Sequence, residues 1–227
     1  MTDTVYDMVI LGAGSGGYAA ALRGAQLGLR VALIEADKIG GTCLHRGCVP
    51  TKAILHSAET AEAVREAAAV GVRAAYQGLD MPAVQRYKNG VISRMYKGLQ
   101  GLVASRGIEV VGGWGRLVAR DTVEVSGRRY RGRNIVLATG SLSKTMGQEI
   151  SGPVMTSDQA LELDRVPASA VVLGGGVIGV ELASAWASMG SQVTIIEALP
   201  HLVPNEDEAI SKQLERAFRK RRIAFRT

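Results

Sequence analysis

The sequence predicts an α/β fold with two doubly wound domains, the second of them incomplete. Three observations predict it. A pattern of strand, glycine turn, helix and strand occurs twice, and 227 residues leave room for one or two domains. The 28 glycines come without the proline content or the three-residue period of collagen, so they belong to turns or to ligand contacts.

The repeated pattern lies at residues 9–36 and 171–198, which align without a gap at an offset of 162 residues. Twelve of the 28 aligned positions are identical. Internal similarity of this extent is far above chance, so the chain contains the same supersecondary unit twice.

The elements of the first copy follow one another closely. Residues 8–11 are an apolar run typical of a buried parallel strand. After a glycine triplet, a helix of small residues runs to Leu27 and is ended by Gly28. A second strand at residues 30–34 finishes at Glu35. This order predicts a Rossmann-like βαβ unit that binds a dinucleotide.

Each glycine of the triplet has a physical role in such a unit. Gly12 permits the tight turn, Gly14 has no side chain to block a pyrophosphate, and Gly17 lets the helix pack closely on the strand. The helix N-terminus offers free N–H groups to the phosphates. Glu35 can accept hydrogen bonds from the ribose hydroxyls.

The second copy places Gly174, Gly176, Gly179 and Glu197 in the same roles. The two copies therefore predict two dinucleotide sites, and the alternative is that both are structural turns. A carboxylate at Glu197 would repel a 2′-phosphate, so we expect the second site to prefer NAD to NADP.

Cys43 and Cys48 are the two cysteines of the chain, and both lie between the copies. A helix is predicted at residues 50–70, which puts Cys48 at a helix N-terminus, where the dipole stabilises a thiolate. Lys52 follows four residues later on the same helical face. The pattern favours a redox thiol over the two alternatives, which are inert thiols and a metal site that lacks further ligands.

Composition argues against several function classes. The net charge of +6 comes from two short basic runs, residues 128–133 and 216–222, which resemble solvated faces rather than a nucleic-acid surface, and aromatic residues make up only 4%. No apolar run approaches the ~18 residues of a membrane span. Asp3 and Asp7 precede or enter the first strand, so we expect no signal peptide and a cytoplasmic protein.

Further elements are predicted outside the repeats. Residues 108–125 predict a small antiparallel β segment, residues 134–138 a strand, and residues 223–227 the start of another strand. Residues 82–106 predict a long helix with a core-facing apolar side. That side comprises Val84, Tyr87, Val91, Met95, Leu99 and Leu102.

The last predicted helix spans residues 205–222. Its expected start is a capping box formed by Asn205 and Glu208. Its acidic start and basic end suit the helix dipole and explain the C-terminal charge without a partner. The expected buried stripe comprises Ile210, Leu214, Ala217 and Phe218.

The segment Gly40-Gly41-Thr42-Cys43-Leu44-His45-Arg46-Gly47-Cys48-Val49-Pro50-Thr51-Lys52 resembles the active-site signature of the flavin-dependent pyridine nucleotide–disulfide oxidoreductases. With the two glycine triplets and Ala138-Thr139-Gly140, the resemblance covers the whole chain. Within this family, the sequence is most similar to the members that oxidise dihydrolipoamide. One departure is His45-Arg46, where many relatives carry Asn-Val.

The resemblance implies a role for each matching residue. The first unit would hold FAD, with Glu35 on the adenosine ribose. Cys43 would be the interchange thiol, and Cys48 the thiol that lies against the flavin in a Cys43–Cys48 disulfide. Lys52 would approach flavin N5 and pair with Glu181. The further residues implied at the cofactors are Gly41, Thr42, Gly115 (a main-chain contact to adenine), Thr139 and Gly140 for FAD, and Gly174, Gly176, Gly179 and Glu197 for NAD.

The resemblance also implies an activity and a domain plan. Dihydrolipoamide would reduce the cysteine pair, the electrons would pass to the flavin and then to NAD, and no metal would take part. Residues 1–145 would form the FAD-binding domain and residues 146–227 part of an NAD-binding domain. An interface domain would be absent, so we expect this chain alone to be inactive. The full-length enzyme would be a homodimer that receives dihydrolipoamide on a lipoyl domain.

Three alternatives to this activity remain. The chain could be a non-catalytic FAD- or NAD-binding module. It could belong with the glutathione-type or mycothione-type reductases. It could also belong with the mercuric reductases.

Overall fold

The computed structural model describes residues 5–227, so Asp3 lies outside the described residues. The strands of this part are β1 Val5–Leu11, β2 Val31–Glu35, β3 Glu109–Gly112, β4 Gly115–Ala119, β5 Thr122–Val125, β6 Arg128–Leu137, β7 Ser169–Leu173, β8 Gln192–Ile196 and β9 Ala224–Arg226. The helices are α1 Ser15–Gln26, α2 Gly41–Arg46, α3 Cys48–Glu66, α4 Met81–Ser105, α5 Ser157–Ala160, α6 Val177–Met189 and α7 Glu208–Lys220.

The chain divides into two compact units. The first contains the chain up to Pro50 together with Gly90–Lys144, and the second contains Thr51–Asn89 together with Thr145–Thr227. The change of unit after Lys144 falls beside the predicted border at residue 145. Residues 51–89, which the sequence assigned to the first domain, pack in the second unit with β7, β8 and β9.

The first unit is built on a six-stranded sheet with the order β3-β2-β1-β6-β5-β4. Strands β1, β2, β3 and β6 pair in parallel, and central residues of β1 and β2 have no exposed surface, as at Val9, Ile10 and Leu33. Burial on both faces explains why β1 and β2 are mostly apolar.

The predicted antiparallel segment at residues 108–125 is only partly correct. Strands β4, β5 and β6 are antiparallel neighbours, but β3 pairs in parallel with β2, from Ala32 opposite Glu109 to Glu35 opposite Gly112. The reason is topological, because β3 enters the sheet after the long helix α4. Parallel strands require a crossover connection of this kind. The strand predicted at residues 134–138 is longer and occupies Arg128–Leu137.

The second unit has a parallel sheet with the order β7-β8-β9. The strand expected at residues 223–227 is present as β9. Helix α6 packs tightly in this unit, since Ala183 and Ala185 have no exposed surface and Trp186 is only 3% exposed.

The expected core-facing side of the helix at residues 82–106 is only partly correct. Val84 is buried and Leu99 packs partly buried against the core as predicted, but Tyr87, Met95 and Leu102 are 43–50% exposed. The other buried positions of α4 are Met81, Lys88 and Val103. Lys88 is fully buried because its ammonium donates a hydrogen bond to the carbonyl of Leu161 at 3.0 Å and pairs with Glu162. Because a sequence pattern assigns lysine to the surface, the predicted core-facing side of α4 is rotated relative to the observed one.

The expected start of the last helix is wrong, and its expected stripe is only partly correct. Asp207, not Asn205, is the N-cap, and its carboxylate accepts a hydrogen bond from the amide of Ala209 at 2.8 Å. Phe218 is buried and Leu214 partly buried as predicted, but Ile210 is 58% exposed, and the polar residues Ser211 and Glu215 are buried. The face is rotated because two polar side chains are buried with satisfied hydrogen bonds: Ser211 bonds to Val203, and Glu215 bonds to the amide of Leu202.

The basic run of the first unit lies on an exposed part of β6. Arg131 pairs with Asp121 at 2.6 Å, and Arg129 pairs with Glu124 at 3.4 Å. These exposed pairs agree with a solvated face.

Tyr6 links two strands of the first unit that are not neighbours. Its hydroxyl donates a hydrogen bond to Glu109 at 2.7 Å, and its ring is 2% exposed. Burial, followed by the hydrogen bond to Glu109, raises the pKa of Tyr6 to about 12. The folded protein therefore keeps this phenol proton at pH values where the unfolded chain, with an ordinary tyrosine pKa of 10.0, releases it.

We expect the stabilising contribution of Tyr6 to be complete below about pH 10 and to be lost as the pH rises towards 12. Tyr6→Phe should lower the free energy of unfolding at pH 7 by about 1 kcal/mol and should flatten this part of the alkaline decline. Urea unfolding followed by circular dichroism between pH 8 and 12 measures both effects, with Tyr76→Phe as the control. An unchanged alkaline slope in Tyr6→Phe would contradict the assignment.

Candidate nucleotide and redox sites

Two glycines of the first turn are required by packing. Gly12 has a φ of +100°, and a Cβ there would lie 2.2 Å from the carbonyl oxygen of Ala138. A Cβ on Gly17 would lie 1.8 Å from the carbonyl oxygen of Gly12. No other residue fits either position, which explains the tight turn and the close approach of α1 to β1.

Gly14 is different, because packing does not demand a glycine there. A Cβ on Gly14 would have its nearest neighbour, the Cα of Gly41, at 3.9 Å, and its φ of −67° is ordinary. Gly14 is the N-cap of α1, makes no side-chain cap, and is followed by a first turn without acidic residues. The helix N-terminus thus presents backbone N–H groups and partial positive charge, which fit a pyrophosphate.

Glu35 ends β2 and is anchored by the backbone at both carboxylate oxygens. One oxygen accepts a hydrogen bond from the amide of Ala13 at 2.7 Å, and the other accepts from the amide of Asp37 at 2.9 Å. A carboxylate has about four lone-pair positions, so each oxygen can still accept one more hydrogen bond. Two adjacent ribose hydroxyls match this capacity.

The segment after Glu35 returns to the glycine turn. The amide of Gly40 donates to the carbonyl of Ala13 at 2.8 Å. Gly41 has a φ of +56°, and a Cβ on it would lie 2.6 Å from the Cα of Gly14. Gly41 therefore packs directly on the turn, and Thr42 follows it with an exposed side chain.

The predicted residues Thr139 and Gly140 lie beside the first glycine turn. The amide of Ala138 bonds to the carbonyl of Leu11 at 2.8 Å, which brings the exposed turn of Thr139 and Gly140 next to Gly12. Gly115 lies against the core, since a Cβ there would be 2.4 Å from the Cδ1 of Leu11.

The second copy reproduces this geometry. Gly174 has a φ of +100°, a Cβ on Gly179 would lie 2.0 Å from the carbonyl oxygen of Gly174, and Gly176 caps α6 with open space around its Cα. The carboxylate of Glu197 accepts from the amide of Gly175 at 2.6 Å and from the amide of Leu199 at 2.9 Å.

The hydrogen bonds also set the charge of Glu197. Burial alone would raise the pKa of this carboxyl, but the backbone amides of Leu199, Gly175 and Ala198 outweigh it and hold the pKa below the ordinary value. Glu197 is therefore an anion at neutral pH, and both of its oxygens are hydrogen-bond acceptors.

The cysteines lie on two successive helices. Cys43 is half-buried in α2, and Cys48 is the first residue of α3 and is exposed. The helix starts two residues earlier than predicted, so Cys48 belongs to its first turn. A short 3₁₀ turn, Ala67–Val70, completes the predicted helical stretch.

His45 and Arg46, which lie between the cysteines, anchor α2. The ring of His45 bonds through Nε2 to the carbonyl of Ile39 at 2.9 Å and meets the ring of Tyr96 edge-on at 5.0 Å. Arg46 pairs with Asp37 at 3.7 Å. These contacts hold α2 to the segment that follows Glu35.

Lys52 and Glu181 meet within the second unit. The Nζ of Lys52 lies 2.6 Å from the Oε1 of Glu181, and the two side chains are 57% and 32% exposed. The structure thus brings together the lysine and the glutamate that the sequence resemblance paired. An ion pair this accessible can hold a lysine in one orientation while contributing little stability.

Among residues 5–227, no group of three or more His, Cys, Asp or Glu side chains could hold a metal ion. In the same range no helix is both long and apolar enough to cross a membrane.

Sequence reasoning missed the residues that position the two carboxylates. Ala13 and Gly175 occupy equivalent places in the repeat, as do Asp37 and Leu199. All four act through backbone amides, which side-chain patterns do not reveal. The available signal was the offset of 162, because it aligns both pairs.

Comparison with known proteins identifies the family of the chain. The family described as pyridine nucleotide-disulphide oxidoreductase matches residues 6–227. The chain therefore belongs to this family of oxidoreductases, and the predicted α/β fold class is confirmed.

Several similar curated proteins are named dihydrolipoyl dehydrogenase. That of Bacillus subtilis is 41% identical over an alignment that covers 99% of this chain and 50% of the relative. That of Thermus scotoductus is 37% identical over 98% of this chain and 48% of the relative. The chain thus spans about half the length of the curated relatives it matches.

A similar solved structure is the Cu(II) complex of RclA, a HOCl-induced flavoprotein disulfide reductase from Escherichia coli. It matches with a TM-score of 0.77 and 29% identity, over 98% of this chain and 49% of that one.

The different constraints on the first triplet predict different effects of alanine. Gly14→Ala should leave stability within about 1 kcal/mol of wild type, because its Cβ has room, but should weaken FAD binding at least about tenfold by blocking the phosphates. Gly17→Ala should destabilise by about 3 kcal/mol or more through overlap with the Gly12 carbonyl.

Thermal unfolding and FAD titration of both variants test this contrast. Gly16→Ala is the control, since a Cβ on Gly16 would meet nothing within 4 Å. Equal stability losses in Gly14→Ala and Gly17→Ala would count against the distinction.

Proposed function

We propose that the chain is the cofactor-binding and redox part of a flavoprotein that oxidises dihydrolipoamide to lipoamide with NAD. The observation that carries the proposal is the combination, in one chain, of two equivalent dinucleotide turns and a cysteine pair at a helix start. The naming of its curated relatives as dihydrolipoyl dehydrogenases favours dihydrolipoamide as the substrate.

FAD is assigned to the first turn, with Gly12, Gly14 and Gly17 at its pyrophosphate and Glu35 at its ribose. Gly41, Thr42, Gly115, Thr139 and Gly140 complete the assignment at the same edge of the sheet. NAD is assigned to the second turn, with Gly174, Gly176 and Gly179 at its pyrophosphate and Glu197 at its ribose. The anionic charge of Glu197 supports NAD over NADP, since it disfavours a 2′-phosphate.

The cysteine pair exchanges electrons with the substrate by two displacements. One thiolate of dihydrolipoamide attacks the sulfur of Cys43 in the Cys43–Cys48 disulfide, forms a mixed disulfide and releases the Cys48 thiolate. The second substrate thiolate then attacks the substrate sulfur of this mixed disulfide and displaces the Cys43 thiolate. The two substrate sulfurs are now joined as the lipoamide disulfide. Two electrons have moved from the substrate to the two cysteines, and the two substrate protons pass to solvent or to protein bases.

The chain favours Cys48 as the thiolate that remains. It is exposed in the first turn of α3. Lys52 lies four residues later on the same helix and is oriented by Glu181. FAD held at the first turn would supply the acceptor for this electron pair, and NAD held at the second turn would supply the final acceptor.

A second candidate is a disulfide reductase that works in the opposite direction, from a reduced nicotinamide cofactor to a disulfide substrate. The similarity to RclA favours this candidate. Glutathione-type, mycothione-type and mercuric-type reductases belong to the same class, and a non-catalytic nucleotide-binding module is a further alternative. The rate of NAD reduction by dihydrolipoamide, compared with disulfide reduction by NADPH, separates them.

The proposal extends to the surroundings of the enzyme. The full-length protein would act as a homodimer in the cytoplasm and would take dihydrolipoamide from a lipoyl domain. It would use neither a metal ion nor a nucleic acid.

Cys48→Ser tests the thiol mechanism. We expect NADH formation from dihydrolipoamide, assayed with FAD and NAD in the full-length protein, to fall at least about 1,000-fold, because no disulfide can form. FAD retention, read from the visible flavin spectrum, should persist. Glu59→Gln, an exposed change on the same helix, is the control. Unchanged NADH formation in Cys48→Ser would rule the mechanism out.

Glu197→Gln tests the second nucleotide site. An amide cannot accept both backbone N–H groups, so its NH₂ would face a donor, and NAD affinity should fall roughly 10- to 100-fold. Because the pKa of Glu197 is lowered, its stabilising contribution should be present above the ordinary value of 4.5 and should be lost as the pH falls further.

Calorimetric NAD titration at pH 7 and acid unfolding between pH 6 and 2 measure these two effects. Glu206→Gln, at an exposed glutamate of the same unit, provides the matched control. Wild-type NAD affinity in Glu197→Gln would place the second dinucleotide elsewhere.

A further inference from the structure

Trp114 is a large aromatic side chain left in water. It lies in the turn between β3 and β4 and is 86% exposed, whereas the other tryptophan of the chain, Trp186, is 3% exposed. A single exposed apolar residue needs no explanation by itself. The position of Trp114 in the first unit, however, indicates a function for its side chain.

The glycines on both sides fix the turn. Gly113 has a φ of +137°, and a Cβ there would lie 2.7 Å from the Cγ1 of Val125. On the other side, a Cβ on Gly115 would lie 2.4 Å from the Cδ1 of Leu11. The backbone is thus held against the sheet at both glycines, and the indole between them projects into solvent.

Backbone pairing places this turn beside the ribose acceptor. Glu35 stands opposite Gly112 in the register of β2 and β3, and the amide of Gly113 donates to the carbonyl of Glu35 at 2.8 Å. Trp114 is the next residue. It therefore lies at the carboxyl edge of the sheet, one strand beyond Glu35.

The order of the strands gives a direction along this edge. The glycine turn follows β1, Glu35 ends β2, and Trp114 follows β3, with the three strands side by side. Strands are spaced about 4.8 Å apart, so the ends of β1 and β3 are about 10 Å apart. A dinucleotide whose pyrophosphate lies at the first strand and whose ribose lies at the second carries its base towards the third.

We propose that the indole of Trp114 stacks on the adenine base of the dinucleotide held by the first unit. The inference rests on the proposed FAD site and adds a side chain to it. A main-chain contact at Gly115 would fix the edge of the base, and Trp114 would cover one face. Stacking suits this pair, since adenine and indole are both flat aromatic systems.

Trp114→Ala and Trp114→Phe test the proposal in the apoprotein of this chain. FAD and AMP both carry adenine, and FMN is a flavin without it. We expect Trp114→Ala to weaken FAD and AMP binding roughly 5- to 100-fold and Trp114→Phe to retain most of the affinity. Leu27→Ala, at a 62% exposed residue that follows α1 at the opposite edge of the sheet, is the control and should bind FAD as wild type does.

Tryptophan emission gives a second readout that a structural role would not move. AMP should quench the emission of the wild-type chain. It should leave the emission of Trp114→Phe unchanged, because the remaining Trp186 is buried in the second unit. FMN should quench the emission of neither protein. Wild-type FAD affinity in Trp114→Ala, or the absence of quenching by AMP, overturns the inference and leaves the FAD site standing. A wild-type chain that binds neither FAD nor AMP overturns the FAD site and this inference together.

Discussion

The hydrogen bond between a carboxylate at the end of one strand and an amide inside the glycine turn is the contact on which the rest of each nucleotide unit depends. Glu35 makes it with Ala13, and Glu197 makes it with Gly175. It joins the ends of two parallel strands, fixes the acid with its free lone pairs directed outward, and requires a turn that only glycine permits. The phosphate and ribose positions that we propose both depend on this bond.

The two units diverge beyond this shared contact. In the first, the amide of Gly40 bonds to Ala13, and the chain passes directly into the cysteine helices. In the second, the amide of Val203 bonds to Gly175, and the chain enters α7, whose Glu215 holds the amide of Leu202. The segment after Glu35 leads into the helices that carry the cysteines, and the segment after Glu197 leads into α7. The two copies therefore share the geometry of the glycine turn and differ in the segment that follows the acid.

Much of this could be predicted from the sequence because the glycines, the acids and the cysteines each serve a local geometry. The repeat gave both turns with their helices and strands. The helix faces of α4 and α7 could be predicted only in part, because Lys88, Ser211 and Glu215 are buried by hydrogen bonds to distant backbone atoms. Such partners are 8 to 73 residues away in the sequence, and no periodicity encodes them.

Complete burial makes Lys88 a chemical reporter as well as a structural contact. Acylating and methylating reagents modify amines that solvent can reach, and this ammonium has no exposed surface. Its labelling rate therefore measures how often α4 separates from Leu161, on the timescale of local opening rather than of global unfolding. Sequence patterning assigns Lys88 to the surface. In the folded chain its buried amine is well suited to detect local opening of the second unit.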